Sequence, residues 1–446
     1  MILARLSTDR RQRGVTLIEL MVALVLGLIV AGGIVTLFLS TSSSNRAQNQ
    51  MARLQEEGRY AINRISADLK MAGAQYCSST GGIANLAATS GVALDSLRTP
   101  RVLAMNLTFP QNTTPWGTPY PVKPTAAYNL PSFFFMRGFD CTVAACTPSS
   151  PPTAAMGVPV MGTDVGSRVM GGAVFQMRYV DSARGWAIGG NSVIVPKNDG
   201  TIDHITLVPN TSPSVGELSP TGIQDGDLVM LADCSTAQIF QTTGSNNLVP
   251  GDNKVNFSAP RALKPQSAPR LFRLSTDFRT VTYFLQVVSD DGTATGIKTG
   301  ALMRCDSGIG ATCQEIVRGV ERLDFRYGVE DQNGLLHYLS AADVDSRAGA
   351  TIPCPSGAQG ATATDMGCLW RALKTIEVNI LMDGQTPLYT LQGPDLAYAY
   401  SPEGNTTPVA PDQRGTGGIS PATQGFALPM IRRQFSTVVM MRNYNP

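Results

Sequence analysis

The segment Arg10–Ser40, RRQRGVTLIELMVALVLGLIVAGGIVTLFLS, decides how this chain is built. From Val15 to Leu39 it is apolar except for one carboxylate, Glu19. Those 25 residues would extend about 37 Å as a helix, more than the roughly 30 Å hydrocarbon core of a bilayer, so the stretch is long enough to span one with some tilt. It is also longer than the core of a secretory signal. An ionised side chain at bilayer depth costs on the order of 3 kcal/mol even on the lenient insertion scale, so Glu19 calls for a cationic partner or a task.

Ahead of the span lie Arg5, Arg10, Arg11 and Arg13 against a single acid, Asp9, and the run ends in Gly14. Positive charge on that side predicts a cytoplasmic start and an exported remainder. A secretory signal carries its small-residue cleavage site after the apolar core, whereas here the glycine precedes it. Cleavage after Gly14 would leave the anchor attached to the mature chain.

Gly14 followed by Val15, Thr16, Leu17, Ile18, Glu19 and Leu20 resembles the leader junction of type IV prepilins and pseudopilins. The resemblance implies that a membrane prepilin peptidase cuts between Gly14 and Val15, that the new amino group of Val15 is methylated, and that Glu19 pairs with the amino terminus of a neighbouring subunit. Valine stands where that family usually carries phenylalanine. A plain single-span anchor with one tolerated acid is the competing reading, but it leaves the basic leader, the glycine and TLIEL in register unexplained. Gly27, Gly32 and Gly33 lower helix propensity within the span and equally suit close helix packing.

Past Ser40 the sequence turns polar but keeps a helical period. Met51, Leu54, Gly58, Ala61, Ile62, Ile65, Leu69 and Ala72 recur at spacings of three and four, while Arg53, Glu56, Glu57, Arg64 and Lys70 fall elsewhere, as in an amphipathic helix with one buried stripe. Gly73 is the expected stop. Unbroken from Val15 to Ala72, such a helix would measure about 87 Å, and Ser40–Ser44 is the place where it could kink instead.

The stretch LQEEGRYAINRISADLKMAGAQYC, residues 54–77, resembles the PilW family of minor pilins. So do GDLVMLADCSTAQIF around Cys234, GVERLDFRYGV around Tyr327, LWRALKTIEVNILM around Trp370 and the late QFSTVVMMRN, in the family's order. The resemblance implies an α+β, type IV pilin-like fold: a long N-terminal helix, membrane-spanning in its first half and amphipathic in its second, packed on a C-terminal antiparallel sheet domain with loop-rich insertions. It also implies a minor pilin that primes fibre assembly, sits at the pilus tip and supports twitching motility and adhesion. Its partners would be other minor pilins and the major pilin, the prepilin peptidase, the inner-membrane assembly platform and a large tip adhesin. Processed chain would stand in the inner membrane with a periplasmic domain, then in the fibre at the cell surface.

Removing the leader takes away four arginines and one aspartate and leaves 31 basic against 32 acidic residues. No clustered basic surface points to nucleic acid. With 44 glycines and 29 prolines, the composition favours a loop-rich β domain over a bundle. The expected organisation is a leader at 1–14, the spanning half of the helix at 15–39, its amphipathic half at 40–74, a loop-rich insertion at 75–170 and a β-rich domain at 171–446. Within the insertion PQNTTPWGTPYPVKP and CTPSSPPTAA are the extremes, and only Phe133–Phe135 demands apolar company. Strands are expected at AVFQMRYV, HITLV, LVMLA, AQIFQTT, TVTYFLQVV, ALMRC, RLDFRYGVE, TIEVNILM and FSTVVMMR, with turns at Asp291-Gly292 and Asn333-Gly334.

The eight cysteines, Cys77, Cys141, Cys146, Cys234, Cys305, Cys313, Cys354 and Cys368, all follow the span and are even in number, which suits four disulfides in an oxidising compartment. Eight cysteines admit 105 pairings; the short separations suggest Cys141–Cys146, Cys305–Cys313 and Cys354–Cys368, leaving Cys77 with Cys234. Zinc is disfavoured: no pair has CxxC spacing, and His204 and His337 lie in strand-like sequence. Asp290-Asp291 and Asp343 with Asp345 lack an EF-hand pattern and read as acidic turns. No GxSxG, P-loop, HExxH or strand-flanked GxGxxG occurs, so no catalytic residue or cofactor is expected. Two other functions stand beside the minor pilin. One is a J-type pseudopilin of type II secretion, usually about half this length; the other is a membrane-tethered periplasmic binding or catalytic module.

Overall fold

The computed structural model describes residues 15–74, 76, 85–87, 91–93, 100–104, 128–129, 132–149, 151–208, 223–233, 237–244, 247–250, 260–263, 269–306, 312–331, 333–353, 367–391, 393–404, 406–414 and 419–443. Its first element is one helix, Leu17–Leu69, of 53 residues. The hydroxyls that could have broken it turn back onto its own backbone: Thr36 Oγ1 donates to the Gly33 carbonyl at 2.8 Å and Ser43 Oγ to the Ser40 carbonyl at 3.0 Å. Ser40–Ser44 therefore does not end the helix. Gly73 does close the segment, with a φ of 70° and its N–H donated to the Arg178 carbonyl at 2.9 Å.

Three main sheets follow, in which antiparallel pairing dominates. The first has the order Thr312–Arg318, Lys298–Asp306, Phe278–Ser289, Val174–Val180, Met136–Cys141, Cys146–Thr147. The second has the order Leu336–Leu339, Val320–Glu330, Leu373–Asp383, Arg432–Met440. Alternation sends Phe325, Tyr327 and Val329 to the core face of the second sheet, where the register places Val378, Ile376 and Leu373 opposite them, and Val439 faces Ile376 from the last strand. The helix stripe Leu54, Ala61, Ile65 and Leu69 joins these residues and Tyr283, Phe175 and Trp370 in one continuous core.

The third sheet runs Trp186–Ala187, Arg270–Arg273, Leu228–Ala232, Ala237–Thr243, Asn247–Pro250, Ile202–Thr206, Val193–Pro196, with Arg101–Val102 pairing parallel to Ala237–Thr243. One face gives Met230, Ala232, Ile239 and Phe272 to the main core. The other face gives Val229, Leu231, Phe240 and Leu271 to a separate cluster with Leu103, Trp186, Ile205 and Leu248. A sheet apolar on both faces needs cover on both, and the strands Val193–Pro196 and Ile202–Thr206 help to provide it.

Each of the nine expected strand segments falls on a strand, with HITLV and FSTVVMMR each running two residues past its end. One reading needs correction: residues 133–141, assigned to a surface insertion, belong to the first sheet and its core. Phe134 stacks on Phe278 with centroids 5.5 Å apart, and the Arg178 guanidinium caps the Phe134 ring at 4.8 Å. The Pro- and Ser-rich flanks on either side had masked this buried run. Asp343 and Asp345 are not turn residues either, since both lie in the helix Ala341–Ala350, where Asp345 pairs with Arg137 at 2.5 Å.

Candidate functional site

The helix is two devices in one element. Its first half is unpartnered: Leu17, Ile18, Leu28, Leu37 and Phe38 are each at least 67% exposed, and no other part of the described chain covers them. A continuous apolar surface of this length would be insoluble as a free face and calls for lipid or other helices.

At its start Thr16 is extended and caps the helix. The Thr16 N–H and Oγ1 each donate to Glu19 Oε2 at 2.9 Å, and the Glu19 N–H donates to Thr16 Oγ1 at 3.3 Å. This reciprocal capping box satisfies two donors that the first helical turn leaves unpaired and holds the Glu19 charge at the positive end of the helix dipole. Thr16 was not singled out in the sequence, although Thr-x-x-Glu ahead of an apolar run is the signature of such a cap. Val15 stands exposed next to it; Gly14 lies outside the described residues.

The second half is clamped to the domain. Asp68, buried on the helix stripe, accepts hydrogen bonds at 2.6 Å from both Tyr283 Oη and Arg304 Nε. Arg304 Nη1 reaches Asp306 Oδ2 at 3.0 Å, and Arg279 grips the same carboxylate with Nε at 2.8 Å and Nη2 at 2.5 Å. Burial opposes the charge on Arg304, but the bond and the negative charge of Asp68 outweigh it and raise its pKa. Burial, followed by the Asp68 charge, pushes the Tyr283 hydroxyl upward as well. Two further ties fix the helix: Gln50 donates to the Thr386 carbonyl at 3.0 Å, and Asn443 donates to the Lys70 and Ala72 carbonyls at 3.0 and 3.1 Å. The latter satisfy carbonyls that the helix end would otherwise leave unpaired. None of the helix's own partners on the domain could be read from the sequence, because they lie more than 200 residues from it along the chain.

The cysteines divide. Cys141 with Cys146 and Cys305 with Cys313 are disulfides, each joining residues directly opposite one another on adjacent strands. Cys368 is also disulfide-bonded, to a partner outside the described residues, and Cys77, Cys234 and Cys354 lie outside them. His204 and His337 are strand residues, each beside one carboxylate, Asp203 at 2.8 Å and Asp331 at 3.1 Å.

Residues 282–443 match the family model described as type IV pilus-assembly protein W, and residues 9–35 match the prokaryotic N-terminal methylation motif. The chain is a type IV pilin-like protein with a PilW-family domain. No curated protein and no solved structure matches it. The PilW match covers the whole second sheet, the strands Lys298–Asp306 and Thr312–Arg318, and the sheet side of the clamp, including Tyr283, Arg304 and Asp306. The methylation motif falls on the capped, exposed start of the helix. Together they make this a single-pass, membrane-anchored pilin with a globular domain.

Proposed function

We propose that this PilW-family chain is a minor pilin that primes type IV pilus assembly from the inner membrane and takes a place at the fibre tip, supporting pilus biogenesis, twitching motility and adhesion. Prepilin peptidase cuts between Gly14 and Val15, and the amine of Val15 is methylated. Other minor pilins and the major pilin then pack against the exposed half of the helix on the inner-membrane platform, while the periplasmic domain presents its loops to a large tip adhesin. The mechanism is association, without chemistry on a substrate.

The observation that carries the reading is a helix left bare over its methylation-motif half and ionically clamped over the rest. Such a stalk can enter a bundle of like helices while its domain stays rigidly attached. Both Thr16 bonds fall on Glu19 Oε2, which leaves Oε1 for the terminal amine of a neighbour. Glu19→Ala should therefore still be cleaved after Gly14 yet fail to restore fibres to cells lacking the wild-type chain. Normal piliation by that variant would refute the intersubunit ion pair.

A further inference from the structure

Among the described residues Arg168 is a buried cation without a carboxylate. It is 4% exposed, its Nε has no hydrogen-bond partner, and among the described residues it forms no ion pair. Its backbone cannot swing away. Arg168 N–H donates to the Val160 carbonyl at 2.8 Å, while Val169 N–H and the Ser167 carbonyl bond to Leu285 and Val287 on the far end of strand Phe278–Ser289. What its guanidinium meets is a disulfide: Nη1 lies 3.1 Å from Cys141 Sγ and 3.4 Å from Cys146 Sγ, and Nη2 lies 3.5 Å from Cys146 Sγ.

The second disulfide belongs to the same small core, along with Phe139, Val158, Val174 and Phe284; Cys141 Sγ also lies 3.8 Å from the Phe139 carbonyl oxygen, so what sets the two disulfides apart is the guanidinium. Cys305 Sγ and Cys313 Sγ approach the Gly157 carbonyl oxygen at 3.7 and 3.4 Å. Reduction turns a neutral disulfide into a pair of thiols, and a cation at hydrogen-bond distance favours the thiolate whereas a carbonyl oxygen disfavours it. An unpaired buried guanidinium gains its missing counter-charge when that thiolate forms.

We propose that Cys141–Cys146 is the more redox-labile of the two described disulfides, opened by a dithiol reductant with Arg168 holding the Cys141 thiolate. One thiolate of the reductant attacks Cys146 Sγ, on the edge strand Cys146–Thr147, and forms a mixed disulfide. Cys141 leaves with the electron pair of the broken bond and stays ionised against the guanidinium. The reductant's second thiolate then displaces Cys146, which takes up a proton, and the reductant departs as its own disulfide with its other proton released to solvent. The chain gains two electrons, and the edge strand loses its covalent tie to Met136–Cys141.

The test equilibrates the full-length processed protein, in detergent micelles, with graded ratios of reduced to oxidised dithiothreitol at pH 7, followed by acid quenching, alkylation and peptide mass spectrometry. Cys141–Cys146 should open at a ratio at least tenfold lower than Cys305–Cys313. Arg168→Gln should raise that ratio at least tenfold, about 30 mV for a two-electron couple, and leave Cys305–Cys313 unmoved. Opening of both disulfides at one ratio, or no change in Arg168→Gln, would overturn the proposal. If that variant does not fold, the reduced wild type decides: alkylation of Cys141 by iodoacetamide should titrate well below the usual thiol value of about 8.5, and a midpoint at or above that value would overturn it.

Discussion

Asp383 and Asp140 are carboxylates in places that do not tolerate charge. Burial, followed by the negative charge of Glu321, raises Asp383 to about 8, against the opposing Thr299 hydroxyl bond of 2.5 Å. Burial likewise raises Asp140 to about 7, although its Oδ2 accepts the Ala341 N–H at 2.7 Å. Between the ordinary aspartate value of 3.8 and those two points, the folded chain holds protons that the unfolded chain releases. Stability therefore falls as pH rises through that window, by about 1.4 kcal/mol per pH unit for each proton held. Urea unfolding at stepped pH should record this, and Asp383→Asn should flatten the curve most clearly toward pH 8, where the contribution of Asp140 is fading. An unchanged slope there would show that Asp383 is not the group responsible. Glu321 and Arg432 beside it form a buried two-pronged pair at 2.7 and 2.8 Å, so removing either partner alone leaves an unpaired charge in the core.

The N-terminal helix joins a part meant for other molecules to a part meant for its own domain, and its stability in place depends on a few contacts. Asp68→Ala strands Tyr283 and one side of the Arg304 guanidinium, and should cost about 3 kcal/mol in chemical denaturation, as breaking buried ion pairs does. Retained stability would mean that Asp306 alone satisfies Arg304. Gly58 is where the helix crosses the last strand of the second sheet: a methyl there would come within 2.6 Å of the Phe435 ring. Gly58→Ala should accordingly lower stability by about 1–3 kcal/mol through overpacking, read as an earlier denaturation midpoint. The helix itself was legible from its 3.6-residue period, and so were its buried stripe and its stop at Gly73. The strands announced themselves by runs of β-branched and aromatic residues between turns. What could not be read is whatever depends on distant partners: the Asp68 clamp, the seat of Phe133–Phe135 and the unpaired Arg168. Local sequence carries periodicity and propensity, while ion pairs between residues far apart in the chain are set only when the sheets close.

At the scale of the whole molecule, the second sheet, wholly within the PilW match, and the partly matched first sheet carry the helix, and a third sheet with its own apolar cluster lies before the matched residues in the chain. That sheet shares Met230, Ile239 and Phe272 with the main core, so it is built into the domain. Phe272→Ala, at the junction of the two, should lower the stability of the domain by about 3–5 kcal/mol in a single transition, measured by urea unfolding with two spectroscopic probes; separate transitions would mean that the third sheet folds on its own. Everything proposed about assembly rests on the start of the mature chain. The most direct test is the amino-terminal sequence and mass of the protein made with and without prepilin peptidase. With the peptidase the first residue should be Val15, N-methylated; without it the chain should keep the 14 residues from Met1 to Gly14. A mature chain that begins elsewhere, or one indifferent to the peptidase, would contradict the account.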